Sequence, residues 1–147
     1  MLLSLRVPLI FALALFAFES TALACKCAPH SVSQALAEAT AVFEGQVVSI
    51  EDISEGSEPV VTKKKVTLNI VRVWKDLEDT ETVIVTTNSE PAACGFYFER
   101  GKSYLAYAQR GDTGFTVNSC SRTQPMVDAS EDLAQLGYDA DWIVQRT

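Results

Sequence analysis

The stretch Cys25-Lys26-Cys27-Ala28-Pro29 decides how the rest of the sequence is interpreted. It holds two of the four cysteines, and the others are Cys94 and Cys120. An even number of cysteines in a short exported chain indicates disulfides. A bridge between Cys25 and Cys27 would close a very tight ring with poor geometry, so the spacing disfavours it. Both remaining pairings tie this stretch to Cys94 and Cys120, and the residues alone leave that choice open.

The residues before Cys25 have the features of a secretory signal peptide. Arg6 supplies a short positive region, and residues 7–18 form an apolar run. Ala22-Leu23-Ala24 then has the small-x-small pattern after which signal peptidase cuts. We therefore expect residues 1–24 to be removed, which makes Cys25 the first residue of the mature protein.

Two other interpretations of this N-terminal region are less favoured. The apolar run is shorter than the roughly 20 residues that span a bilayer, which argues against a retained anchor. A lipidated Cys25 is disfavoured because Ala22 and Leu23 stand in the reverse of the usual order before such a cysteine. We expect residues 25–147 to form one domain, secreted to an extracellular or periplasmic space.

The net charge of −7 limits the class of partner. The signal peptide contains one basic and one acidic residue, so its removal leaves this charge unchanged. An acidic domain is repelled by nucleic-acid phosphates and by anionic lipids, so we expect no nucleic-acid partner and no membrane binding after signal cleavage. The cluster Lys63-Lys64-Lys65 is interpreted as a solvated strand end, because three lysines do not outweigh the net charge.

Strand patterns separated by turns make up most of the mature chain. Ser31 and Ser33 are candidate caps for a short helix over 32–39, and a second capped helix is predicted over 130–136. An acidic turn region is predicted over 52–59. The strand patterns cover 42–50, 65–74, 82–87, 103–108 and 115–120.

Two details of these strands favour a small closed β-barrel. Gly45 interrupts the first strand, and the apolar alternation of the second changes face near Ile70. A bulge or bend in a long strand produces such a change. Five strands with turns every eight to twelve residues fit a mainly β closed barrel with short flanking helices, and a β-sandwich is the alternative.

Signals of enzyme chemistry are weak, so we expect the protein not to be an enzyme and to need no cofactor. His30 is the sole histidine, and we interpret it as an exposed loop residue rather than as a member of a catalytic triad. No glycine-rich phosphate loop is present. The pattern Cys25-x-Cys27-x-x-His30 could be a soft-metal site, but only with free thiols, which oxidising compartments rarely leave.

The new N-terminus is chemically distinctive. If cleavage leaves Cys25 first, its α-amino group and its carbonyl oxygen can close a five-membered chelate on a metal ion. The ordinary pKa of an α-amino group is about 7.7–8, so a neutral, ligating fraction exists near neutral pH. Catalytic zinc in proteases keeps one position open for water, and a terminus held rigid by disulfides could displace that water with little loss of entropy.

The Cys-x-Cys-x-Pro start resembles the tissue inhibitors of metalloproteinases and the wider netrin-like (NTR) modules. Cys94 and Cys120 follow at spacings close to those of this family. Further segments that are similar to the family cover 43–47, 71–76, 93–95 and 101–107.

The resemblance implies an OB-fold barrel with the bridges Cys25–Cys94 and Cys27–Cys120. It also implies that the amine and carbonyl of Cys25 chelate the zinc of a target protease and that Lys26 enters the S1′ pocket of that protease. The other residues of the implied inhibitory ridge are Cys27, Ala28, Pro29, Glu90, Pro91, Ala92, Ala93 and Cys94.

The sequence departs from the family pattern at three places. Ala37 stands where the animal inhibitors have a further cysteine, and the stretch after Cys120 is too short for their disulfide-rich C-terminal subdomain. Lys26 replaces a small threonine or serine. Because an ammonium group in an apolar S1′ pocket would lose its hydration without gaining a partner, we expect a target whose S1′ pocket carries an acidic group.

Two functional hypotheses follow. The first is a secreted, monomeric inhibitor whose partner is a zinc metalloproteinase. The second is a secreted NTR-type module that binds a protein or ligand without inhibiting a protease, since one fold serves several functions.

The signal-peptide hypothesis predicts the N-terminus of the exported protein. Edman sequencing or intact mass should show a chain that begins at Cys25, because Ala22-Leu23-Ala24 has the small-x-small pattern that precedes a signal-peptidase cut. A mature chain that retains residues 1–24, or a lipid adduct on Cys25, would contradict it.

Overall fold

The computed structural model describes residues 25–54, 61–77 and 80–137. The predicted signal peptide, most of the acidic turn over 52–59 and the last ten residues lie outside these ranges. In the described residues no helix is long and apolar enough to cross a membrane.

The described ranges contain six strands and two α-helices, with two short 3₁₀-helices over Pro91–Ala93 and Met126–Asp128. The α-helices are α1 (Val32–Glu38) and α2 (Ser130–Leu136), close to both predicted helices. Ser31 caps α1 as predicted, whereas α2 begins after Ala129 without a side-chain cap. The strands are β1 (Ala41–Ser54), β2 (Val61–Lys75), β3 (Thr82–Asn88), β4 (Ser103–Gly111), β5 (Gly114–Thr116) and β6 (Gln124–Pro125).

Five of the strands form a ring of pairings. β1 pairs antiparallel with β2 on one edge and with β4 on the other. β2 then pairs antiparallel with β3, β3 pairs parallel with β5, and β5 pairs antiparallel with β4. The two-residue β6 adds to β4 and was not predicted. The architecture is therefore mainly β and resembles an OB-fold, as expected.

The predicted irregularity near Ile70 is confirmed as a bulge between β1 and β2. Glu44 pairs with Arg72 and Gly45 pairs with Ile70, so Val71 has no partner on β1 and is 51% exposed. A β-carbon on Gly45 would lie 3.0 Å from the β-carbon of Leu68. The glycine thus permits the close approach of two strands where the ring bends.

β1 is longer than predicted, because its acidic end pairs with the lysine cluster. Asp52 and Glu51 form ion pairs with Lys64 (2.6 Å) and Lys65 (2.8 Å) across the two strands. The predicted turn at 52–54 is therefore wrong, and these residues belong to a strand. Opposite charges on facing strands stabilise the pairing modestly.

β5 is shorter than predicted and ends at Thr116. The amide of Val117 still donates to the carbonyl of Thr86, but the chain then turns away. The side chain of Asn118 accepts a hydrogen bond from the amide of Cys120 at 2.8 Å, which shapes this turn. The turn brings Cys120 to its disulfide partner.

Apolar side chains form two cores. One fills the ring and is centred on Phe43, Val66, Leu68 and Tyr104. The other lies between the outside of the ring and the helices, where Val42, Leu105 and Tyr107 meet residues of α1 and α2. Because both helices pack on the same side, the chain preceding α1 is held beside the chain that leads to α2.

Candidate functional site

Two disulfides hold the chain start to the ring. Cys25 is bonded to Cys94 and Cys27 is bonded to Cys120, with Cα–Cα distances of 5.3 and 5.0 Å. The residues alone left two pairings open, and the structure contains the one that the family resemblance implied. The sulfur atoms of Cys25 and Cys120 lie 3.6 Å apart, so the two bridges are packed against each other.

The Cys25–Cys94 bridge joins two exposed segments, and we call residues 25–29 and 90–94 together the ridge. Cys25 and Cys94, which join the segments, are half-buried. The other ridge residues are exposed: Lys26, Cys27, Ala28, Pro29, Glu90, Pro91, Ala92 and Ala93. The structure therefore joins the two segments of the predicted ridge at Cys25 and Cys94 and leaves the other ridge residues exposed.

The second ridge segment owes its shape to a tight turn. Pro91–Ala93 form a 3₁₀-helix, which Cys94 ends in the left-handed conformation at φ +61°. The amides of Cys94 and Gly95 donate to the carbonyls of Pro91 and Glu90, both at 3.0 Å. A β-carbon on Gly95 would lie 2.3 Å from the carbonyl oxygen of Asn88, so only glycine fits there.

Side chains at the end of β3 hold this segment. The amide nitrogen of the Asn88 side chain donates to the carbonyl of Ala93. The buried hydroxyl of Thr87 accepts from the amide of Phe96 at 2.8 Å. Sequence reasoning did not single out these two residues, and the available signal was a pair of polar residues where the strand pattern ends.

The first ridge segment leads to a largely buried ionic cluster, which sequence reasoning also missed. The Arg122 guanidinium donates from Nη1 to the carbonyl oxygen of His30 at 2.7 Å. Its Nε and Nη2 each donate to the carboxylate of Asp132 at 2.8 Å, and the Tyr107 hydroxyl donates to the same carboxylate at 2.6 Å. We call Arg122, Asp132 and Tyr107 the Arg122 cluster.

The electrostatics of this cluster favour a charged carboxylate and a neutral phenol. Burial raises the pKa of Asp132, but hydrogen bonds from Arg122, Tyr107 and Gln124 outweigh that effect and lower the pKa below its ordinary value. Burial, together with the hydrogen bond to Asp132, raises the pKa of the Tyr107 hydroxyl. Neither group changes charge near neutral pH.

His30 is half-buried rather than exposed, contrary to the sequence interpretation. Its Nδ1 lies 3.3 Å from a carboxylate oxygen of Glu38 at the end of α1, so its ring rests against the helix.

The soft-metal alternative loses its ligands, because Cys25, Cys27 and Cys120 are all in disulfides. A disulfide sulfur lacks the thiolate charge that binds such metals.

Comparison with known proteins identifies the family. The family model described as tissue inhibitor of metalloproteinase matches residues 23–135. The chain belongs to this family. The match contains both ridge segments and all four cysteines, and members of the family are inhibitors rather than enzymes. A search of curated proteins gave no match.

The lowered pKa of Asp132 predicts a loss of stability in acid. A carboxylate whose pKa is lowered by folding stabilises the protein fully above its ordinary pKa of about 3.8, and this contribution is lost as the pH falls towards the lowered value. Asp132→Asn should reduce the free energy of unfolding near neutral pH by about 3 kcal/mol, because it leaves the Arg122 charge without its partner.

Urea unfolding at several pH values checks this prediction. The difference between the wild-type protein and Asp132→Asn should shrink as the pH falls below about 4. Glu131→Gln is the matched control, because Glu131 is exposed and its carboxylate lies 3.6 Å from Arg122. It should cost less than about 1 kcal/mol. A difference that stays constant with pH would contradict the coupling between Asp132 ionisation and folding.

Proposed function

We propose that the mature protein is a secreted inhibitor of zinc metalloproteinases that inserts its ridge into the active-site cleft of the protease. The observation that carries the proposal is the position of Cys25. It lies at the junction of two exposed segments and is bonded covalently to the second of them at Cys94. The family match supports a metalloproteinase as the kind of partner.

In this proposal the backbone of Cys25 supplies the inhibitory chemistry. Signal cleavage after Ala24 frees the α-amino group, and that group and the Cys25 carbonyl chelate the zinc of the protease. The sulfur of Cys25 takes no part in ligation, because it is bonded to Cys94. The chelate occupies the zinc position that catalysis reserves for water, so the protease cannot activate its nucleophile.

Rigidity makes the ridge suitable for this role. A flexible N-terminus would lose conformational entropy on binding, at about 0.5–1.5 kcal/mol for each side chain that becomes ordered. Here the segment is already held by two disulfides and by the hydrogen bond from Arg122 to the His30 carbonyl. The surface that meets the protease is therefore formed before the encounter.

Lys26 would set the preference among proteases. Its side chain is exposed, and no ion pair to it is present among the residues that the structure describes. If this ammonium group enters the S1′ pocket, an acidic group there would compensate for the lost hydration, whereas a purely apolar pocket would not. Ala92 and Ala93 on the second segment are small, so they impose little selection of their own.

The proposal also includes a closed OB barrel as the scaffold and a monomer as the active form, because one ridge fills one cleft. No observation on the described residues favours the alternative of an NTR-type module without protease inhibition. The first experiment below separates the two functions.

An extra residue before Cys25 should abolish inhibition. A version that begins Ala-Cys25 has an amide where the free amine stood, and a protonated backbone amide nitrogen does not ligate zinc near neutral pH. The inhibition constant should rise by about a hundredfold or more against any protease that the Cys25 version inhibits. Titration of both versions against a panel of zinc proteases measures this effect, with non-reducing peptide mapping to verify the two bridges. Equal inhibition by both versions would refute chelation, and inhibition by neither would favour the binding module.

Exchange of Lys26 should change which proteases are inhibited. Lys26→Glu should weaken inhibition of proteases with an acidic S1′ group by about a hundredfold, because attraction becomes repulsion. Lys26→Thr should inhibit proteases with apolar S1′ pockets more strongly than the wild-type protein does. Lys102→Thr is the matched control, since Lys102 is exposed, lies outside the ridge and is paired with Glu99. Unchanged preferences in the Lys26 variants would exclude Lys26 from the pocket.

A further inference from the structure

We infer that Arg122 is a positioning residue of the ridge, which sets the orientation of the N-terminal segment relative to the second segment. This inference rests on the proposed function. Arg122 lies outside the ridge and would touch neither the zinc nor the protease. It acts through the carbonyl oxygen of His30, to which it donates at 2.7 Å.

The two disulfides alone do not fix this orientation. Residues 25–31 have no regular secondary structure. The bridges hold them at Cys25 and Cys27, and the capping box of Ser31 fixes their other end to α1. Between these ends the ring of His30 contacts Glu38, and the bond from Arg122 to the His30 carbonyl ties the backbone of the stretch to the turn that contains Cys120. This bond sets the direction in which the chain runs from the ridge to α1.

Arg122 is itself bound to the most strongly buried charge of the cluster. Asp132 has a side chain that is 1% exposed, and it accepts two hydrogen bonds from Arg122 and one from the Tyr107 hydroxyl. Tyr107 is buried in β4, and α2, which carries Asp132, packs on the second core. The position of the His30 carbonyl is thereby fixed relative to the ring of strands.

The planar guanidinium is the side chain that this arrangement requires. It donates in two directions at once, with a bidentate pair towards Asp132 and a single bond towards His30. A lysine ammonium is a point charge without this fork and cannot reproduce both sets of bonds.

The backbone of Arg122 adopts a conformation that is unusual for a residue with a side chain. Its φ of +63° lies in the left-handed region, which costs a residue with a side chain about 1–2 kcal/mol. Arg122 follows Cys120 by two residues, in the turn that the Asn118 side chain shapes. One turn thus presents both the disulfide partner of Cys27 and the donor to His30. Strain of this kind persists where the surrounding contacts determine the conformation.

The test compares Arg122→Lys with the matched control Arg110→Lys, whose guanidinium lies over the Phe115 ring, outside the ridge. The inhibition constants of all the proteins compared are measured at one temperature, about 30 °C below the lowest unfolding midpoint, where essentially all of each protein is folded. Positioning predicts an inhibition constant about tenfold higher for Arg122→Lys and unchanged for Arg110→Lys. A residue that only stabilises the fold would lower the midpoint and leave the inhibition constant of the folded protein unchanged.

A second variant removes the cluster without leaving buried charges. The triple variant Arg122→Met/Asp132→Leu/Tyr107→Phe replaces it by apolar side chains, an exchange that is often neutral or stabilising. It cannot donate to the His30 carbonyl. If Arg122 positions the ridge, the unfolding midpoint of the triple variant should be close to that of the wild-type protein, while its inhibition constant should remain about tenfold higher. A triple variant with both the unfolding midpoint and the inhibition constant of the wild-type protein would overturn the inference.

Backbone ¹⁵N relaxation makes the result independent of the inhibitor assay, because it reports the order of amides whether or not they form a hydrogen bond. In Arg122→Lys the order parameters of the amides over 26–31 should fall from about 0.85 to about 0.6, while those of β1 and β2 should not change. If the wild-type protein inhibits no zinc protease, the proposed function fails, and the order parameters still decide whether Arg122 orients the segment. Unchanged order parameters over 26–31 would overturn the inference even if the protein is an inhibitor.

Discussion

β1 forms hydrogen bonds along both of its edges, and the rest of the structure depends on this double pairing. Its first half pairs with β4 on one side and with β2 on the other. The bulge opposite Gly45 allows β2 to bend with β1 while Ile70 and Val73, on either side of the exposed Val71, both pack on the core of the ring. Once the ring is formed, the end of β3 and the turn after β5 lie together, and both disulfides attach the chain start there.

The parts of the fold that follow from local patterns could be predicted from the sequence. The change of apolar face near Ile70, the cap at Ser31 and the helix over 130–136 each leave a signal within a few neighbouring residues. The disulfide pairing needed the family resemblance, because the residues alone allowed two solutions. The acidic strand end at 52–54 was missed, since its stabilising partners are lysines on another strand.

The contacts that shape the candidate site left no such local signal. Arg122 and His30 are 92 residues apart, and nothing in either neighbourhood indicates that a guanidinium meets that carbonyl. Asp132 appears in the sequence as an ordinary acidic residue in the first turn of a helix, although its side chain is almost completely buried. Such bonds depend on how the helices pack on the ring, and packing is a property of the whole chain.

The separation of these contacts along the chain has a consequence for folding. The bridges span 69 and 93 residues, and the ridge combines segments from the start and the middle of the mature chain with an anchor near residue 132. Closure of loops of this length is slow, because their entropic cost precedes the contacts that compensate for it. A fragment that ends before Cys94 lacks the second segment, and one that ends before Arg122 lacks the donor that meets the His30 carbonyl. The complete binding surface therefore requires nearly the whole described chain, and a short peptide copied from either segment does not reproduce it.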